Sequence, residues 1–295
     1  MPETSISSTR VYFLDGETVV KSLSPDGSVQ TVMNISAPDN SQVVFAVSPD
    51  DRRIAVSIIT LARSRLPASF NDAMYVEDLG TSANRVDIYS STTTGEWPIG
   101  WHAGHLIVGV GGSDLFGWGN PYGAIAYHIA DPASGLRLAT LDCARGLLVA
   151  AGTACADGWC STGSTCGSGT LGKQAWDGTK TAFAIPSGPP PKIFMAFANA
   201  AELSPDGASI AASVVADQPT FALETLLFNN GSSSILTQLG SPLGWLDGSH
   251  LLVSSPSAVW VIDVSTRIPN QMTNLQTVPQ TGMPALAGVM PTNLG

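Results

Sequence analysis

The chain alternates short apolar segments with tight polar turns, and two kinds of hairpin recur along it. The first reads Pro98-Ile99-Gly100-Trp101 before a turn and an apolar strand, and it returns as Pro242-Leu243-Gly244-Trp245. The second carries a Ser-Pro-Asp turn between two apolar segments, at Ser48-Pro49-Asp50 and at Ser204-Pro205-Asp206. Proline fixes φ at the second turn position, and aspartate bonds back to the turn backbone. The pattern therefore predicts β-hairpins.

The spacing of these hairpins predicts six repeats. The residues just before the four turns are 47, 100, 203 and 244, so the intervals are 53, 103 and 41 residues. The interval of 103 residues holds two repeats, and we expect the missing turn at 142–146, between apolar segments at 138–141 and 147–151. A further step of 41 residues reaches the apolar stretch 284–290.

Outer hairpins support the same count. They are predicted at 73–78 with 85–90, 124–128 with 136–141, 172–176 with 180–185, 222–228 with 233–239, and 258–262 with 271–275. A sixth surrounds the turn Ser24-Pro25-Asp26-Gly27. Asp177-Gly178 and Asn230-Gly231 are dipeptides typical of two-residue hairpin turns.

These repeats predict an all-β chain that forms a single six-bladed β-propeller domain over residues 1–295, with four-stranded blades. Three N-terminal strands, at 10–14, 18–23 and 28–34, lack a first partner. We expect the C-terminal segment to supply that strand and to close the ring, because closure removes exposed sheet edges.

The turn motifs carry a family resemblance. Ser204-Pro205-Asp206-Gly207 is a full Ser-Pro-Asp-Gly turn, whereas Ser48-Pro49-Asp50-Asp51 has aspartate in the last place. Trp101 and Trp245 precede the other two turns. In these features the chain resembles the TolB-like propeller family. The resemblance implies the fold and no single activity, because such propellers serve as scaffolds, ligand binders and substrate-gating domains of peptidases.

Composition agrees with this fold and excludes some partners. Thirty glycines, 20 prolines and only 12% charged residues suit many short strands joined by tight turns. The net charge of −10 repels phosphate backbones, so nucleic acid is not expected as a partner. The chain contains no apolar run of about 18 residues, so membrane insertion is not expected. The N-terminus lacks the basic and apolar regions of an export signal.

Four cysteines lie close together in a Gly-, Ser- and Thr-rich stretch: Cys143, Cys155, Cys160 and Cys166. An even number in such a loop predicts two local disulfides, with three possible connectivities, and an oxidising, extracytoplasmic location such as the periplasm or the exterior. A four-cysteine zinc site is the alternative, although the usual paired Cys-x-x-Cys spacing is absent.

The long connections are predicted on one face of the propeller, at 61–71, 111–122, 152–171 and 216–220. The third of these is the cysteine-bearing insertion. Turns on the other face are mostly minimal. Lengthening on one face indicates a binding surface there, and solvated insertions without a function are the alternative.

Aromatic residues in two of these connections are candidate ligand contacts. Phe116, Trp118 and Tyr122 accompany Asp114 in a glycine-rich frame, and Trp159 stands between Cys155 and Cys160. Aromatic planes beside polar groups suit a sugar ring. The alternative is that the rings pack on their own loops.

A cationic spot is predicted in the first long connection. Arg63 and Arg65 lie there, with Asp72 just beyond. The guanidinium fork could hold a carboxylate or a phosphate of a ligand. An ion pair between loops is the alternative.

No catalytic motif is present. His102 and His105 are three residues apart but are predicted on the face away from the long connections, and His128 and His250 have no acid or nucleophile nearby in sequence. The Gly-x-Ser-x-Gly elbow is missing. No cofactor is expected, but a metal held in a central channel by residues from several blades leaves no motif.

The sequence therefore favours a non-catalytic, extracytoplasmic binding or scaffold propeller that holds a protein or a glycan on the long-loop face. The alternatives are lectin-like carbohydrate binding and a channel-mouth enzyme, namely a metal-dependent hydrolase, lactonase or lyase.

Overall fold

The computed structural model describes residues 4–62, 69–111, 124, 126–143, 149–157, 170–183, 201–215, 223–229, 231–255 and 258–272. Within these ranges, every named element is a β-strand, and the strands form antiparallel sheets of consecutive strands. Five sheets have four strands and one has three. The predicted all-β class and the succession of four-stranded sheets are confirmed.

The described residues group into two compact units, one up to Asp142 and one from Cys143 onward. Each unit contains three sheets. The single domain over residues 1–295 stays a prediction.

The first unit contains sheets one to three. Sheet one is β1 (Thr4–Ile6), β2 (Val11–Asp15), β3 (Val19–Leu23) and β4 (Val29–Asn34). Sheet two is β5 (Ser41–Val47), β6 (Arg53–Ala62), β7 (Ser69–Asp78) and β8 (Val86–Ser91). Sheet three is β9 (Gly95–His102), β10 (His105–Gly111), β11 (Ala126–Ala130) and β12 (Arg137–Leu141).

The second unit contains sheets four to six. Sheet four is β13 (Thr153–Asp157), β14 (Thr170–Gln174) and β15 (Lys180–Phe183). Sheet five is β16 (Ala201–Leu203), β17 (Ser209–Val215), β18 (Leu223–Asn229) and β19 (Ser232–Thr237). Sheet six is β20 (Ser241–Trp245), β21 (His250–Ser255), β22 (Ala258–Asp263) and β23 (Pro269–Gln271).

The prediction that the first sheet lacks its first strand is wrong. Thr4–Ile6 pairs with β2 and supplies the strand that the sequence pattern left missing. Three residues are too few to show an alternating pattern, so this strand escaped prediction. The segment 284–290, to which we assigned the closing strand, lies outside the described residues, and so ring closure stays untested.

The fourth sheet corrects the predicted turn at 142–146. The segment 138–141 belongs to β12, the exposed outer strand of sheet three, so it cannot also be an inner strand of the next sheet. Instead, Val149 and Gly152 exchange two backbone hydrogen bonds of 2.9 Å immediately before β13. The turn therefore lies at 149–152.

Contacts between successive sheets bury the first strands of each sheet. In the first unit β1 contacts β5 and β5 contacts β9; in the second, β13 contacts β16 and β16 contacts β20. Strand β5 is almost entirely buried, whereas the outermost strand β4 is mostly exposed. Apolar side chains from neighbouring sheets form shared clusters, such as Tyr12, Val20 and Met33 with Phe45 and Val56. This burial provides the main driving force that joins the sheets.

The repeated tryptophans have one structural role. Trp101 Nε1 donates a hydrogen bond of 3.2 Å to the carbonyl of Ala46 in the first strand of the preceding sheet. Trp245 Nε1 donates one of 3.0 Å to the carbonyl of Glu202 in the same way. In both hairpins a β-bulge lies two residues before the tryptophan, at Ile99 and Leu243. The recurring Pro-x-Gly-Trp pattern thus encodes a bulged strand whose indole is tied to its neighbour.

The Ser-Pro-Asp turns share one hydrogen-bond network. Ser204 Oγ donates to Asp206 Oδ1 at 2.6 Å and accepts from the amide of Ser209 at 2.9 Å. Ser48 Oγ donates to Asp50 Oδ1 at 2.7 Å and accepts from the amide of Arg53 at 2.9 Å. The motif therefore builds the same turn in sheets two and five.

Asp51, which replaces the motif glycine, links sheets one and two. Its φ of 59° is in the left-handed region, as is the 69° of Gly207. A Cβ at Gly207 would lie 2.7 Å from the Cβ of Ala151, so a side chain does not fit there. At position 51, in contrast, the carboxylate accepts from Thr9 Oγ1 at 2.5 Å and from Tyr12 Oη at 2.7 Å.

We predict that Trp101→Phe and Trp245→Phe each lower the free energy of unfolding by about 2 kcal/mol, because a buried carbonyl loses its donor. Urea unfolding measures this. Trp260→Phe is the matched control, since its Nε1 has no hydrogen-bond partner among the described residues. We expect a change of about 0.5 kcal/mol or less for the control. Equal losses in all three variants would contradict a specific role for the indole hydrogen bonds.

We also predict that Asp51 and Tyr12 are energetically coupled. Asp51→Gly relieves the left-handed backbone but loses both hydrogen bonds, and Tyr12→Phe loses one of them. In a double-mutant cycle by urea unfolding, we expect a coupling free energy of about 1 kcal/mol. Additive losses would mean that the carboxylate does not join the two sheets.

Candidate functional site

Sheets two to five each have a tight-turn end and a long-connection end. Because strands in these sheets alternate in direction, the first and third turns of a sheet share one end, and the second turn and the link to the next sheet share the other. The longest connections at the second of these ends run from Ala62 to Ser69, from Gly111 to Ala126 and from Val215 to Leu223. In sheet four, whose described strands number three, the long connection joins β13 and β14, from Asp157 to Thr170. Long connections between strands are where binding residues concentrate.

Ionised aspartates hold the tight-turn end. In each of these turns Oδ1 of the aspartate accepts the backbone N–H two residues later. Hydrogen bonds from neighbouring side chains and backbone amides together lower the pKa of each of these carboxyls. The aspartates are Asp26, Asp50, Asp131, Asp177, Asp206, Asp247 and Asp263. Such turns are structural, which leaves the opposite end as the better candidate for binding.

Asp72 is the only predicted ligand residue within the described residues, and it is fully buried at the long-connection end of sheet two. Its Oδ1 accepts from Ser57 Oγ at 2.6 Å. Its Oδ2 accepts from the backbone amide of Glu96, in sheet three, also at 2.6 Å. Because both carboxylate oxygens are occupied and buried, Asp72 joins two sheets here; its predicted ligand contact stays a prediction.

Glu96 extends this polar group into sheet three. Its side chain is only 11% exposed, and its Oε1 lies 3.3 Å from His128 Nδ1. Arg137, which is 55% exposed, places a guanidinium nitrogen 3.4 Å from the same oxygen. We call Ser57, Asp72, Glu96, His128 and Arg137 the carboxylate cluster.

The composition of the carboxylate cluster decides what it can do. It has two carboxylates, an imidazole and a guanidinium, but its one hydroxyl, on Ser57, is fully buried and donates to Asp72. A substrate cannot reach that hydroxyl. No group of three or more possible metal ligands occurs in the part of the chain that the structure describes. The cluster is therefore suited to fixing the roots of the long connections and not to acyl transfer.

Sequence reasoning missed Ser57 and Glu96 and treated His128 as merely structural. One signal was available. Positions 48 and 57 differ by nine, as do positions 204 and 213, so Ser57 and Ser213 occupy the same place in their repeats. Ser213 also links sheets, because its Oγ lies 2.8 Å from Ser241 Oγ at the start of sheet six.

The expectation that His250 has no acid or nucleophile nearby in sequence is wrong, because Asp247 and Ser249 both contact it. These residues have the types of a hydrolytic triad but not its geometry. Ser249 Oγ lies 3.1 Å from His250 Nδ1, and Asp247 Oδ2 lies 2.9 Å from that same nitrogen. A triad requires the acid and the nucleophile on opposite ring nitrogens. Although partial desolvation opposes it, hydrogen bonding from Ser249 and His250 lowers the pKa of Asp247 to about 2. These residues therefore form a turn.

His102 and His105 face each other across the turn between β9 and β10, at the tight-turn end. Burial, and then the charge of His105, lowers the pKa of His102. This environment favours the neutral imidazole.

The remaining predicted ligand residues lie outside the described residues and stay predictions. They are Arg63, Arg65, Asp114, Phe116, Trp118, Tyr122 and Trp159.

Cys143 and Cys155 form a disulfide, with their Cα atoms 4.8 Å apart. Cys143 follows the last strand of sheet three and Cys155 lies on β13, and both are buried. A buried Gln174 accepts the amide hydrogen of Cys143 at 3.1 Å. The Cys143–Cys155 disulfide removes two of the four cysteine ligands that the alternative zinc site would need. Cys160 and Cys166 lie outside the described residues, and their predicted disulfide stays a prediction.

No helix in the described ranges is long and apolar enough to cross a membrane.

No protein-family model and no curated protein matches the chain. Solved structures similar to it include dipeptidyl peptidase 4 of Porphyromonas gingivalis, at 10% identity and a TM-score of 0.54, over 90% of this chain and 44% of that one. This chain thus spans less than half of that peptidase.

Two further structures are less similar. The β-propeller domain of the Trilobed protease from Pyrococcus furiosus is 12% identical over 88% of this chain and 79% of its own, with a TM-score of 0.47. TolB from Acinetobacter baumannii is 15% identical over 86% and 60%, with a TM-score of 0.36. At an identity of 10%, the likeness to dipeptidyl peptidase 4 concerns the fold alone.

We predict that peptide mapping of the unreduced protein recovers a Cys143–Cys155 linkage. Removing it by Cys143→Ser with Cys155→Ser should lower the free energy of unfolding by about 3 kcal/mol, because the unfolded chain gains freedom. Urea unfolding measures the loss. Reduction of the double variant is the control for the other two cysteines. A linkage of Cys143 to Cys160 or Cys166 would contradict the pairing.

Proposed function

We propose that the chain is a non-catalytic binding or scaffold propeller that holds a protein or a glycan at the long-connection end of its sheets. One observation carries the proposal. Long connections are confined to one end of their sheets, while the other end is held by short, hydrogen-bonded turns. A chain that lengthens only one end concentrates variable surface there, and binding surfaces are built in this way on rigid scaffolds.

The proposal includes one ring of six blades of the TolB-like kind. Its support is the succession of sheets built from consecutive strands, the Ser-Pro-Asp turns in sheets two and five, and the tryptophan hydrogen bonds between neighbouring sheets. This architecture gives the long connections a rigid base.

We place the protein outside the cytoplasm, in the periplasm or beyond the cell. The disulfide Cys143–Cys155 supports this location, because disulfides persist in oxidising compartments. The net charge of −10 argues against nucleic acid as the partner.

The absence of a catalytic role is part of the proposal. Four members of the carboxylate cluster, Ser57, Asp72, Glu96 and His128, are buried. The contacts of His250 with Ser249 and Asp247 form a turn. We propose no cofactor. Binding at the long-connection end requires none, because aromatic and polar side chains suffice for recognition of a protein or a glycan.

The test is site-specific photo-crosslinking in the cells that produce the protein. A photoreactive amino acid replaces Asn71 or Thr92, both exposed at the long-connection end, and in matched controls it replaces Ala83 or Ala133, both exposed in tight turns. We expect covalent adducts only from the first pair, because the partner covers that end. Adducts only from Ala83 or Ala133, or none from any position, would overturn the proposal.

A glycan array then separates the two kinds of partner. Trp118→Ala and Trp159→Ala should abolish binding of a carbohydrate that stacks on those rings. Glycan binding unchanged by both substitutions would remove the lectin-like version, and a crosslinked polypeptide would identify a protein partner.

A further inference from the structure

We propose that Asp72 is a proton-binding site whose occupancy changes the stability of the junction between sheets two and three, near the two long connections of the first unit. This inference concerns the fold itself and does not depend on the identity of any ligand.

Asp72 lies where the ends of two strands that carry long connections meet. Asp72 is near the start of β7, directly after the connection that begins beyond Ala62. Glu96, whose amide it holds at 2.6 Å, is the second residue of β9 and pairs with Val110, next to the end of β10 at Gly111. One carboxylate near the start of β7 therefore holds β9 at the residue that pairs with the end of β10.

Titratable and charged groups near Asp72 come from β8 and β9, and through Glu96 from β11 and β12. Tyr89 on β8 interacts electrostatically with Asp72, Glu96 and Arg137. Glu96 on β9 is in turn contacted by His128 on β11 and by Arg137 on β12. From β6 only the Ser57 hydroxyl is hydrogen-bonded to Asp72. Protonation of Asp72 thus changes the net charge beside the buried Glu96 and His128 side chains.

The geometry accepts both protonation states. In the ionised form Asp72 accepts from Ser57 Oγ and from the amide of Glu96. In the neutral form the proton on Oδ1 can point to Ser57 Oγ, whose own hydrogen rotates away, because a hydroxyl both donates and accepts. The Glu96 amide keeps its acceptor in either state. Protonation therefore removes a buried charge without breaking the junction.

Burial raises the pKa of Asp72 to about 6, and the charge of Glu96 adds to the rise, while the hydrogen bonds from Ser57 and the Glu96 amide oppose it. The ordinary value is 3.8. The folded protein therefore binds this proton more tightly than the unfolded chain does. Stability gained from Asp72 is greatest below about pH 4, falls as the pH rises toward 6, and is constant above that.

Urea unfolding of the wild type and of Asp72→Asn between pH 4 and 8 tests whether Asp72 makes the stability depend on pH. The ratio of their unfolding constants should change by up to about 100-fold across this range, with the wild type gaining stability toward acid. Asp26→Asn is the matched control, because hydrogen bonds to Ser28 lower the pKa of Asp26 and its ratio should be flat above about pH 5. A flat ratio for Asp72→Asn would overturn the proposal.

Two further variants test whether the neighbours of Asp72, and not burial alone, set the pH at which it binds its proton. Ser57→Ala removes a hydrogen bond to the ionised form, so the midpoint of the transition should move to higher pH. Glu96→Gln removes a like charge, so the midpoint should move to lower pH. If Asp72→Asn does not fold, carbon-13 NMR titration of aspartate carboxyls in the wild type gives the same midpoint directly. A midpoint near 6 supports the proposal, and one below 4.5 overturns it.

Discussion

Face-to-face burial between successive sheets is the constraint on which the rest of the structure depends. A sheet of three or four short strands is stable only when an apolar face is covered. Within each unit, the described apolar clusters join one sheet to its neighbour, as in the cluster that joins Ala46 and Val76 to Trp101 and Leu106. Polar atoms within these interfaces must be paired, because unpaired ones cost free energy when water is excluded. The indole of Trp101 and the carboxylate of Asp72 both meet this requirement from one sheet to its neighbour.

Much of this arrangement was legible in the sequence. The Ser-Pro-Asp turns and the Pro-x-Gly-Trp segments predicted their hairpins because each turn is built by its own residues. What escaped had no local signal. Thr4–Ile6 is too short for a pattern, and the turn at 149–152 carries two alanines in place of the usual turn residues. The pairing of Asp72 with the Glu96 amide joins residues 24 apart that no motif connects.

The candidate site was less predictable than the fold for the same reason. Sequence reasoning grouped Asp72 with Arg63 and Arg65 because they are near in the chain, whereas the structure directs its carboxylate inward to Ser57 and Glu96. The two ends of the sheets also treat carboxylates in opposite ways. Exposed aspartates in the tight turns are stabilised as anions by backbone amides, and the enclosed Asp72 is not fully compensated for its burial.

The short first strand has a consequence for how the chain folds. Since Thr4–Ile6 completes sheet one from within the N-terminal residues, every described sheet is encoded by one uninterrupted stretch of chain. No strand in these sheets waits for a partner from the other terminus, so the loops that must close are short. Each sheet can therefore assemble as soon as its own residues have been synthesised, and neighbouring sheets within a unit can then dock in chain order.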